Sequence, residues 1–325
     1  MPRIISENII SKRHHYLPVF YLNGFCDSDG LFHVFDKIKD EFLPKCTPES
    51  KFYIKHLNNY IHKGKPIFSY EEAYFSEIDS KGSQTIREII NADISKEDTI
   101  PLDTKVDFIR FLTNLYWRSP KSNKTFVELI KKEGLNNQFF RFVKSEKEIQ
   151  LKDEEMLDIK NQILSDDEIK KIFRPIMPYL DSNINEMCSL LERWTIYDVY
   201  NSGLITGDSP IINNNKNLNF ENVFDNMIFP VSANKLLIFK EKSPKFFDTI
   251  LFSYVNIATL FSAERFICAP KKETIINALK QREELAQKNK YESVVDSLFS
   301  LIEFQSQFDS FEKYLAHYNL RKKNT

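Results

Sequence analysis

The sequence predicts a helix-dominated α+β domain with a small antiparallel sheet built from distant segments. Amphipathic runs at the helical period fill most of the chain between residues 69 and 194 and again beyond 244. Short apolar runs bounded by Gly, Pro, Asn and Asp stand near residue 30 and between 195 and 240, as strands do. No internal repeat or low-complexity linker divides the chain, so a single domain is expected.

Taken in order, the first element is Arg13 to Phe25. Pro18 suits the first turn of a helix and Gly24 its end, so the stretch reads as one tight helical segment with its polar groups at the N-terminal edge. Leu31 to Asp36 reads as a strand between two turns, and Glu41 to Pro44 pairs back as a hairpin whose proline marks an edge. From Ser69 the pattern is helical, with Ala73, Ile78, Ile86 and Ile89 near one face. Pro101 opens a helix with Val106, Ile109, Phe111, Leu112 and Leu115 on its apolar face, and Ser119-Pro120 ends it.

Residues 121–180 read as a charged helical insertion, with helices near 122–132, 136–145, 152–164 and 167–179, the last capped by Asp166-Asp167. A helix follows over 184–194. Strands are expected at 195–200, 203–206, 227–230 and 235–239, joining the early hairpin in one sheet. A long amphipathic helix is expected over 244–265, then a short strand at 266–270. Residues 1–270 thus form the domain, and two or three helices over 271–325 pack on it.

Of the 325 residues, 42% are hydrophobic and 28% charged, with 28 Phe and 14 Tyr against 7 Gly. A Phe-rich helical core follows, although a bias toward AT-rich codons accounts for much of the excess. The net charge of -1 gives no global basic field, so binding to nucleic acid would need a local patch. Cys26, Cys46, Cys188 and Cys268 lie far apart, which suits buried free thiols in a reducing cytoplasm. No leader-like segment and no run of 18 apolar residues occurs, so a soluble cytoplasmic protein without a membrane partner is expected. Nothing in the sequence speaks to oligomeric state.

The residues able to carry chemistry are few. His14, His15 and Tyr16 are adjacent, and histidine titrates near neutrality, so one imidazole can act while the other orients or binds backbone. Helix capping and core filling account for them equally well. Asp208 follows a strand end, where ligand-binding groups are often kept, but an Asx turn explains it too. Arg118 ends an apolar helix, and its planar fork suits phosphate, carboxylate or a structural ion pair. Asn256, Glu264 and Arg265 fall on the expected late helix. His33, His56, His62 and His317 stand alone and read as structural. Glycine-rich phosphate loops, nucleophile elbows and zincin motifs are absent.

Several pieces, in order, resemble the DUF4238 domain family. They are His14 with His15-Tyr16-Leu17-Pro18-Val19-Phe20-Tyr21-Leu22 and Phe25, Phe35-Asp36-Lys37, Glu77-Ile78-Asp79, Arg118-Ser119-Pro120, Gly207-Asp208-Ser209-Pro210, Phe229-Pro230-Val231-Ser232, and Asn256 with Ala263-Glu264-Arg265-Phe266. Asp79 stands where the family has glutamate, and Gly207 where serine is usual. The resemblance spans roughly residues 12 to 270 and implies a shared architecture without an assigned activity.

The matched polar residues suit an anionic, phosphate-bearing ligand. One expectation is a phosphodiester-cleaving enzyme, an RNase or DNase acting in bacterial defence. His14, His15, Tyr16 and Asp208 would be catalytic and Arg118, Asn256 and Arg265 would bind substrate; Mg²⁺ or Mn²⁺, if held by Asp208 and a histidine, would activate water, and metal-independent chemistry by histidine and arginine is equally open. The alternative is a non-catalytic module that binds a nucleotide or a protein in the same polar pocket. A third account makes these residues a buried network that holds the early segment to the sheet.

Overall fold

The computed structural model describes residues 11–69, 74–93, 100–135, 143–144, 149–173, 177, 193–199, 203–214 and 226–323. The chain opens with β1 (Arg13–His15), α1 (Val19–Leu22), β2 (Phe32–Asp36), β3 (Glu41–Cys46), β4 (Tyr53–Lys55), β5 (Asn59–His62) and β6 (Lys65–Ser69). Helices α2 (Ser76–Asn91), α3 (Leu102–Arg118) and α4 (Ser122–Glu133) follow, then the short hairpin β7 (Val143–Lys144) and β8 (Ile149–Gln150), and α5 (Asp153–Ser165) and α6 (Asp167–Phe173). The second strand region holds β9 (Trp194–Asp198), β10 (Thr206–Gly207), β11 (Ile212–Asn213), β12 (Met227–Ser232) and β13 (Lys235–Phe239). Last come α7 (Thr249–Ser262), β14 (Phe266–Ala269), α8 (Lys272–Gln287), α9 (Val294–Gln305) and α10 (Phe311–Lys323). This is the helix-dominated α+β architecture that the patterning predicts, with its strands drawn from distant segments.

The strands divide between separate antiparallel sheets where one was expected. Two have four strands, in the orders β10-β14-β2-β3 and β11-β12-β13-β9, and the pairs β1-β4, β5-β6 and β7-β8 are two-stranded. Every residue of β12 and β13 is buried. Strands covered on both faces lie inside the molecule, and β12 and β13 are the two central strands of their sheet. The early hairpin is present, and β3, with Pro44, is an edge strand. The β4–β6 region carries no strand signal in the sequence beyond short mixed runs.

The core joins the helices to this inner sheet. Tyr21 of α1 stacks on Phe229 of β12 with ring centroids 5.2 Å apart, and Phe108 of α3 lies 6.0 Å from Phe229 and 5.9 Å from Trp194. Asp248 caps α7 by accepting the Leu251 N–H (2.7 Å), and its other oxygen accepts from Gln305 Nε2 (2.9 Å), which ties α9 to α7.

Several boundaries differ from expectation. Arg13 to His15 is a strand paired with β4, so the two histidines precede the helix and Pro18 sits at its N-cap. The helix expected from Ser69 starts at Ser76, because Lys65–Ser69 pairs with β5. In place of a helix running to 145, Val143–Lys144 pairs with β8; residues 136–142 lie outside the described residues. Asp166 does cap α6, accepting the Glu168 N–H at 2.8 Å. Most of 174–179 and nearly all of the 184–194 helix lie outside the described residues, and Trp194 opens β9. Helix α7 spans 249–262 and not 244–265, since Asp248 caps it and the chain turns at Ala263, leaving Glu264 and Arg265 off the helix. Cys268 is buried, Cys26 and Cys46 are partly exposed, all three are free, and Cys188 lies outside the described residues.

Candidate functional site

Strand β1 presents its two histidines differently, because successive strand residues face opposite ways. His14 is fully buried: its Nδ1 accepts the Asn58 N–H (2.8 Å) and its Nε2 lies 2.9 Å from the Ser11 carbonyl. A ring nitrogen that accepts a backbone N–H must be bare, so the proton sits on Nε2 and points to Ser11. His15 is half-buried, with Nε2 3.2 Å from the Glu49 carbonyl and its ring against Tyr53.

Arg118, at the end of α3, is 2% exposed. It donates to Asp79 of α2 (2.6 Å) and to the His15 carbonyl (3.0 Å), and its guanidinium lies over the Phe75 ring. Asp79 is therefore the ion-pair partner of a buried arginine. The unit clamps α2, α3 and β1 together.

Asp208 follows β10 and reaches away from its own turn. Oδ1 accepts the Glu264 N–H (2.7 Å), and Oδ2 accepts those of Arg265 (2.7 Å) and Phe266 (3.0 Å). Burial pushes its carboxyl above the ordinary value, and these three donors offset part of the shift. Gly207 permits the approach: a Cβ there would stand 2.8 Å from that of Ala263 and 2.9 Å from the Phe266 carbonyl oxygen. Around the same turn, Lys37 donates to the carbonyls of Leu260 (2.7 Å) and Ala263, closing the end of α7. Arg265 donates from Nε (3.0 Å) and Nη2 (2.9 Å) to Asp36, which is 1% exposed and whose other oxygen accepts the Ile38 and Lys39 N–H groups. Burial raises the Tyr16 phenol well above its usual range, and nearby Asp208 adds to the effect. Tyr16, Asp208 and Arg265 thus share one electrostatic neighbourhood. Asn256 is buried on α7, its Oδ1 accepting the Ile205 N–H at 3.1 Å.

The two serine-proline turns, Ser119-Pro120 and Ser209-Pro210, meet at a cavity of about 180 Å³. Ser119, Lys121, Thr125, Ser209 and Asn213 give it polar walls, and Tyr116, Pro210 and Ile211 apolar ones. The Ser209 hydroxyl is buried and has no hydrogen-bond partner. Lys121 precedes the first turn of α4 and donates to the Ser262 carbonyl (3.2 Å); much of its chain is exposed, but desolvation of the amine lowers its pKa. Of the seven residues singled out from the sequence, none lines this cavity, although two are the immediate neighbours of residues that do. Each serine stands beside a charged residue, Arg118 or Asp208, whose chemistry is the stronger sequence signal. The repeated Ser-Pro pair was the available signal.

Among the described residues no group of three or more His, Cys, Asp or Glu is arranged to hold a metal ion. No described helix is long and apolar enough to cross a membrane. No curated protein and no solved structure matches the chain. Residues 13–273 match the family model described as "Protein of unknown function (DUF4238)", and the chain belongs to that family.

Proposed function

We propose that the protein binds a phosphate-bearing ligand in the cavity between its two serine-proline turns. The observation that carries this reading is the Ser209 hydroxyl, buried in the cavity wall without a partner. Such a group is costly unless something completes its hydrogen bonding, and a phosphate oxygen is a suitable acceptor. The Lys121 amine favours an anion at the same place, and the dipole of α4, whose first N–H groups are taken by the carbonyls of Ser119, Pro120 and Lys121, adds to it. The cavity is smaller than the roughly 300–1,000 Å³ of typical drug-sized sites, so it suits a phosphate group with the rest of the ligand outside.

Thermal-shift and calorimetric titration with phosphate, pyrophosphate, AMP and ATP test the proposal. Stabilisation by at least one is expected, with binding weakened about tenfold by Ser209→Ala or Lys121→Met, the loss of one charge-assisted contact. No stabilisation by any of the four would end it.

Phosphodiester cleavage, as an RNase or DNase of bacterial defence, is the second reading. Its support is the Lys121 amine and the unpartnered Ser209 hydroxyl in one cavity, a cation able to hold a phosphoryl group beside a hydroxyl able to attack it. Neither histidine side chain lines this cavity. Incubation with labelled RNA and DNA, with and without Mg²⁺ or Mn²⁺, separates the readings. Loss of cleavage in Ser209→Ala but not in His15→Ala would favour the cavity, the reverse would favour His15, and intact oligonucleotide throughout leaves binding alone.

A further inference from the structure

We propose that the groove between α7 and α8 is a second ligand site, one that takes the free carboxylate end of a short peptide. It rests on different residues from the phosphate cavity. The groove has a volume of about 520 Å³, within the usual range of ligand sites, and Phe252 and Ala278 supply its apolar surface.

Its central polar group is Asn256, 3% exposed. The Oδ1 atom is taken by the Ile205 N–H, while Nδ2, with two protons to give, has no acceptor among the described residues. A buried amide with its acceptor satisfied and its donors open is suited to a carbonyl or carboxylate oxygen. The start of α8 lies at the same groove. This helix has 16 residues, and no side chain caps its first turn. Its N-terminal N–H groups and dipole favour negative charge, and Lys271 adds a cation there that offsets the nearby Glu273.

The rest of the groove argues for a peptide over a compact anion. Glu273, Asn277, Gln281 and Glu284 recur at three- and four-residue steps along one side of α8, with Lys280 among them. The four charged groups, Lys271, Glu273, Lys280 and Glu284, cancel, so a dianion gains nothing from the groove as a whole. From 273 to 284 the helix rises about 16 Å, the length of roughly five extended residues. Acceptors and donors along that length can serve successive amide groups, with the terminal carboxylate at Asn256.

The test uses the ¹⁵N-labelled full-length protein and a pool of N-acetylated pentapeptides of randomised sequence, prepared as free acids and as carboxamides. The free acids are expected to shift the Asn256 side-chain amide signals, and the carboxamides to leave them unmoved. Asn256→Asp keeps an oxygen for Ile205 but replaces the donor with a buried negative charge, so it should melt below wild type and, where it folds, weaken binding at least tenfold. If that variant does not fold, Lys271→Glu on the exposed rim should weaken binding several-fold instead. No shift by the free acids, equal shifts by acids and carboxamides, or a shift by inorganic phosphate alone would each overturn the proposal. Because Ser209→Ala leaves this groove intact, failure here is distinguishable from failure at the phosphate cavity.

Discussion

At Asp208 a single side chain holds three consecutive backbone N–H groups, so its removal strands three donors at once. Asp208→Ala should lower the stability to urea by about 3 kcal/mol, and Asp208→Asn by less, since one acceptor oxygen remains. Asp36 gives the complementary pH signature. Burial alone would raise its carboxyl, but Arg265 and the Lys39 and Ile38 N–H groups outweigh burial, and the net shift is downward. A carboxyl lowered on folding binds fewer protons in the folded state, so its contribution is present above the ordinary value of about 4 and is lost as pH falls. Asp36→Asn should therefore flatten the loss of melting temperature between about pH 5 and 3. Asp208, shifted upward, works in the opposite sense, and its contribution shrinks as pH rises above the ordinary value of about 4. The chemistry-bearing residues were legible in the sequence, but their duties were not. Arg118 meets Asp79 across 39 positions and Asp208 meets Arg265 across 57, and nothing local to either residue encodes such a partner.

At the scale of elements, the contact of α2 with α3 turns on Gly82. A Cβ at that position would come within 2.4 Å of the Phe111 ring. Alanine is the better helix former by about 1 kcal/mol, so propensity alone predicts that Gly82→Ala stabilises. The clash decides the sign, because Phe111 is fully buried and has no room to turn away. Overpacking of this kind costs about 1–3 kcal/mol, and chemical denaturation should show a net loss. The apolar spacing of α3, read from Val106 to Leu115, identified this face correctly, and Ser119-Pro120 its end. Helix α7 was overextended because the apolar pattern continues past the turn at Ala263; the signal that stops it is tertiary, through Lys37 and Asp208. For His14 the strand pairing determines the chemistry. ¹⁵N chemical shifts near neutral pH should show the Nε2–H tautomer, with Nδ1 bare toward Asn58. A proton on Nδ1 would contradict the strand geometry around it.

For the molecule as a whole, the family match ends at residue 273, whereas the core does not. Leu298, Phe299 and Ile302 of α9 are buried in the same apolar cluster as Leu251 and Val255 of α7. The Asp248–Gln305 hydrogen bond fastens the two helices at the N-cap of α7. Exposing three such side chains forfeits about 1.5–3 kcal/mol each. The sum of about 5–9 kcal/mol is comparable with the whole stability of about 5–15 kcal/mol typical of a domain. Ending the chain after Gln287 should therefore give a protein that lacks a cooperative melting transition, even though every residue of the family match is kept. Restoring residues 288–323 should bring the transition back. A truncated chain that melts as sharply as the full one would show that α9 and α10 are an appendage, and that α7 finds its cover elsewhere.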